Sequence, residues 1–146
     1  MTDDPVQTTF DRRAAELPEE QRGPFVELMR AGLAEFDPVV GPDDLVVEIE
    51  AATDVPPGER LAAAARFAEQ RRAFSLGRRS GELLRGFASG ADVADEAERL
   101  LAEILAVLAD VSDYGVRREL GDYATECRYI LSGGTGPNSL RGTKLT

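Results

Sequence analysis

The stretch "DVADEAERLLAEILAVLADV", residues 92–111, decides the fold class. Val93, Ala97, Leu100, Leu101, Ile104, Leu105, Leu108 and Val111 recur at steps of three and four, with Glu96, Glu98, Arg99 and Glu103 opposite them. That spacing is the 3.6-residue period of an α-helix; a strand would alternate at every second position. Asp92 and Asp95 supply the acceptors and negative charge that a helix start favours. A helix this apolar along one side belongs in a core.

Working towards the C-terminus, Tyr114 or Gly115 loosens the chain, and a second stripe follows at Val116, Leu120, Tyr123, Cys127 and Ile130, in steps of four, three, four and three. The end of this helix is "CRYILSGGTGP", residues 127–137. Gly133 or Gly134 can supply a left-handed turn there, and Pro137 prevents resumption. A phosphate loop does not fit the same glycines, because they follow a helix and contain no Gly-Lys pair.

Working towards the N-terminus, "RLAAAARFAEQRRAF", residues 60–74, is alanine-rich and strongly helical. "SLGRRSG", residues 75–81, separates it from a short helix around Glu82 to Phe87 that ends at "ASG", residues 88–90. "LVVEIEAA", Leu45 to Ala52, reads as helix because Asp43 and Asp44 suit a helix start and no partner strand is evident; its β-branched residues leave a strand as the alternative. In "GPFVELMRAGLAEF", residues 23–36, Pro24 marks a first helical turn and Phe25, Leu28, Met29, Leu33 and Phe36 form one face. Residues 1–18 read as a loosely held polar arm with at most a short helix from Phe10 to Leu17, residues 19–136 as the helical domain and residues 137–146 as a polar tail. The expectation is an all-α, single-domain bundle of five or six helices, with globin-like packing as one arrangement.

Composition narrows the function. The 146 residues carry 17 basic against 27 acidic side chains, a net charge of -10, and 42% hydrophobic residues. An acidic globular chain disfavours nucleic acid and anionic membrane as partners. Nothing apolar approaches the ~20 residues of a membrane span, the N-terminus lacks the basic and apolar regions of a leader, and the single cysteine forms no internal disulfide; a cytoplasmic location is expected. With no histidine at all, the Ser-His-Asp triad, the Cys-His pair, His-ligated zinc and haem with a proximal His are excluded. No catalytic set, metal site or cofactor is expected. Glu96, Glu103, Asp110 and Asp113 read as a solvated acidic face, since di-iron bundles need Glu-x-x-His pairs.

Two groups remain as candidates. Arginines 60, 66, 71, 72, 78, 79 and 85 make residues 60–85 locally basic in an acidic chain. Arg71, Arg72, Arg78 and Arg79 are the candidate interaction residues, able to grip an anionic ligand or the acidic face of a second copy; the competing reading pairs them with the chain's own glutamates. Arg118, Tyr123 and Tyr129 are the candidate pocket residues for a flat ligand, against a plain packing role. Cys127, on an apolar stripe, reads as a small buried hydrophobe.

"RRELGDYATECRYILSGGTGP", residues 117–137, resembles a segment of phycobiliprotein subunits of the phycocyanin and allophycocyanin kind, in which a C-x-R-D motif opens a helix that runs into GGTGP. Arg118, Leu120, Gly121 and Tyr123, and after a one-residue deletion Tyr129 and Gly133 to Pro137, carry the match. Val116 falls where that family attaches its bilin through cysteine, and Glu119 where it has aspartate. The resemblance implies a globin-like helical fold and self-association without covalent pigment. The function expected is a non-enzymatic assembly or adaptor protein that meets a protein partner or, as a homo-oligomer, itself. The alternative is a protein that holds a hydrophobic or tetrapyrrole-like ligand non-covalently.

Overall fold

A computed structural model describes residues 4–134. Among them are six α-helices and no strand: α1 (Pro5–Ala15), α2 (Glu19–Leu33), α3 (Pro42–Ala52), α4 (Pro57–Ala88), α5 (Ala94–Asp110) and α6 (Tyr114–Leu131). The all-α expectation holds. The chain forms two compact units, and the boundary between them falls inside α4, between Arg72 and Ala73.

In the first unit, the segment expected as a polar arm is α1. Asp4 accepts the Val6 N–H at 3.0 Å, and Pro5 occupies the first turn, where its missing N–H costs nothing. Phe10, Ala14 and Leu17 are buried with Phe25 and Met29 of α2, Ile49 of α3 and Ala64 and Phe67 of α4. Three apolar anchors in an otherwise polar segment are too few to signal a core helix from sequence, yet they suffice to dock one.

Helix α2 begins at Glu19, ahead of the expected start, so that Pro24 lies inside it. Proline there removes one i→i−4 bond, leaving the Glu20 carbonyl without its usual donor. Leu45 to Ala52 is helical throughout, and of α3 only Ile49 is fully buried. The buried Thr53 hydroxyl closes that helix by donating to the Ile49 carbonyl at 2.6 Å.

Helix α4 runs unbroken through "SLGRRSG", where the sequence suggests an interruption. Its second half belongs to the second unit, in which Ala73 and Leu76 pack with Leu100 and Ile104 of α5 and with Val116, Leu120, Ala124 and Cys127 of α6. Gly77 faces Tyr123 of α6, and a Cβ at that glycine would lie 2.2 Å from the Tyr123 ring. The glycine is a recess for a ring, and the packing it permits outweighs its poor helix propensity of ~1 kcal/mol.

Helices α4 and α6 end in the same way. After α4, Gly90 takes φ 92° while Gly90 N–H donates to Phe87 and Ala91 N–H to Gly86. After α6, Gly133 takes φ 70° while Gly133 N–H donates to Ile130 and Gly134 N–H to Tyr129. Both are the paired closure in which a left-handed residue satisfies the last carbonyls. "LSGG" is therefore a helix stop; Thr135 to Pro137 and the tail to Thr146 lie outside the described residues.

Candidate interaction surfaces

The arginines of α4 are built into the fold to differing degrees. Arg60 is buried, and its guanidinium donates to the Arg13 carbonyl at 3.2 Å, to the Val55 carbonyl at 2.8 Å and to Glu16. It therefore gathers the last turn of α1 and the loop before α4, the position where a cation suits a helix C-terminus. Arg71 lies 3.7 Å from the centre of the Phe36 ring, a cation–π contact. Arg72 pairs with Glu35 at 3.2 Å.

In the second unit, Arg79 pairs with Glu103 of α5 at 2.9 Å, and Arg78 is exposed. Of the four candidate interaction residues, three engage the chain's own groups and Arg78 stands at the surface. The glutamates they meet are distant in sequence, which no local pattern reveals.

The candidate pocket residues sit at separate places on α6. Arg118 is exposed. Tyr123 lies against Gly77, and its hydroxyl donates to Glu119 at 2.8 Å. Burial, with help from Glu119, holds the Tyr123 phenol well above its ordinary range. Tyr129 meets Phe87 edge to face, with ring centres 5.7 Å apart. Offsets of five and six residues turn these side chains about 140° and 240° around a helix, so one ligand face cannot collect all three.

Between the tyrosines, the buried Ser80 donates its hydroxyl to Glu126 across the α4–α6 seam. Cys127 is fully buried beside it. Burial, with Glu126 adding to it, pushes the Cys127 thiol up to about 11, so it stays protonated and packs as a small apolar group. Among the described residues, no cluster of three or more Cys, Asp or Glu side chains is arranged to hold a metal ion, and no helix is long and apolar enough to cross a membrane.

The surface that sequence reading missed is the outer side of α5. The core takes Ala97, Leu100 and Ile104, the half-buried Leu101 and Leu108 pack against it, and Leu105 is 42% exposed. Ala102, Ala106 and Ala109 are exposed alongside Leu105. Of the stripe expected to face the core, only Leu105 is exposed, and with Ala102, Ala106 and Ala109 it forms a small apolar face on the outer side. The signal was present in the excess of leucine and alanine over what a single packed face needs.

Comparison with protein-family models, with curated proteins and with solved structures yields no match to this chain.

Proposed function

We propose that this chain is a non-enzymatic assembly or adaptor protein that acts through protein–protein surfaces, chiefly by self-association. The observation that carries this reading is the outer stripe of α5, an apolar face on a helix whose other side is already committed to a core. Leu105, still 42% exposed, gains ~1 kcal/mol on full burial, and a second protein surface offers that burial. Three of the four candidate arginines of α4 engage the chain's own groups, which suits a bracing role better than a dedicated anion site. A cytoplasmic setting with no nucleic acid as partner suits the net charge of -10 and the single buried thiol.

Sedimentation equilibrium across a wide concentration range tests it. The expected result is a mass that rises above that of one chain as concentration increases. A strictly monomeric chain that also captures no protein partner, or demonstrated substrate turnover by the purified protein, overturns the reading.

A further inference from the structure

We propose that the outer face of α5 pairs with the same face of a second copy, antiparallel and about a two-fold axis near Leu105. This rests on the assembly reading and adds which surface is used and how it is oriented.

The apolar part is self-matching. Ala102, Leu105, Ala106 and Ala109 form the exposed apolar side of α5, with the half-buried Leu101 and Leu108, which also pack on the core, along its edge and Leu105 near the middle. When two such helices run antiparallel, Leu105 meets Leu105 of the second copy and Leu101 lies opposite Leu108 of the second copy. The alanines let the axes approach at the short end of the ~8–10 Å range for packed helices. A two-fold interface must present one patch to itself, and this stripe does so without change of register.

The charges fix the direction. Arg99 and Asp110 are both exposed, at opposite ends of the stripe. They are separated by 110 − 99 = 11 residues, about three turns, so they lie along the same edge of the helix. Neither enters an ion pair with another described residue. In an antiparallel pair, residues on one edge face the equivalent edge of the other helix, which sets Arg99 against Asp110 of the second copy and Asp110 against Arg99 of the second copy. A parallel pair would set this edge against the opposite edge of the second copy, so Arg99 and Asp110 would find no partner in each other. Charge complementarity is thus gained only in the antiparallel arrangement.

Sedimentation equilibrium of the full chain and four variants tests the pairing, with circular dichroism confirming that each remains helical. Leu105→Asp is expected to weaken the dimer about a hundredfold. Arg99→Asp and Asp110→Arg are each expected to weaken it about tenfold, and the double exchange Arg99→Asp/Asp110→Arg to restore near-native affinity. That recovery is the result a merely structural role of these residues does not produce. A wild-type dimer indifferent to all four variants overturns the α5 pairing and leaves the assembly reading standing. A wild-type chain that stays monomeric at millimolar concentration overturns the pairing too; it also removes the assembly reading if no other protein partner is captured.

Discussion

The two halves of α4 solve the same packing problem in opposite senses. In the first unit a ring on α4, Phe67, enters a recess on α2, where a Cβ at Gly32 would lie 2.5 Å from it. In the second unit the recess is on α4, at Gly77, and the ring comes from Tyr123 of α6. Around these contacts the first core is built from large groups such as Phe10, Phe25 and Met29, whereas the second uses aliphatic and small residues such as Ala73, Ala124 and Cys127. The difference teaches that glycine inside these helices measures how near a neighbour comes and does not mark a break.

The largest expected effect lies in the aromatic core. Phe25→Ala empties a fully buried site and is expected to cost ~3–5 kcal/mol by urea denaturation, with hydrogen exchange rising in residues up to Arg72. A loss under 1 kcal/mol, on the order of a surface substitution, would deny the aromatic core its dominant role in that unit.

The glycine recesses come next. Gly32→Ala and Gly77→Ala are each expected to lose ~1–3 kcal/mol, Gly32→Ala the more because Ala68 backbone also lies 3.4 Å from the added carbon. Gly23→Ala in α2, with nothing within 4 Å of the new Cβ, is expected to gain ~0.5–1 kcal/mol from helix propensity alone. If all three shift the melting temperature alike, propensity and not close approach governs these sites.

The smallest expected effect separates the cores by pH. Because the Cys127 thiol rises from its ordinary value of 9.0 to about 11, the folded chain holds its proton more tightly than the unfolded chain does. That contribution is complete below pH 9 and is lost progressively as pH climbs through about 11. Tyr123, raised chiefly by burial, acts in the same direction at higher pH. The urea midpoint should fall over this window in the wild type and fall less steeply in Cys127→Ala; equal slopes would count against a sealed thiol.

Legibility in the sequence followed the length and regularity of each apolar pattern. The inner stripes of α5 and α6, the helical nature of residues 45–52 and the stops at "ASG" and "LSGG" were readable, because periodicity and left-handed glycines act locally. Helix α1 was hidden by the polarity around Phe10, Ala14 and Leu17. The continuity of α4 was hidden because Gly77 is explained only by Tyr123, a residue far along the chain. The ties of Arg72 to Glu35 and Arg79 to Glu103 are equally non-local. The exposure of Leu105 was hidden because a stripe's width does not say where the edge of the core falls.

The sealed state of Cys127 has a practical corollary. Since the thiol is inaccessible in the folded second unit, a fluorophore attached through a cysteine introduced on the surface would report from that one position without removal of the native residue. The same chain, left unaltered, becomes a clock for spontaneous opening: each molecule tagged at Cys127 by a thiol reagent counts one excursion of α6 away from its neighbours.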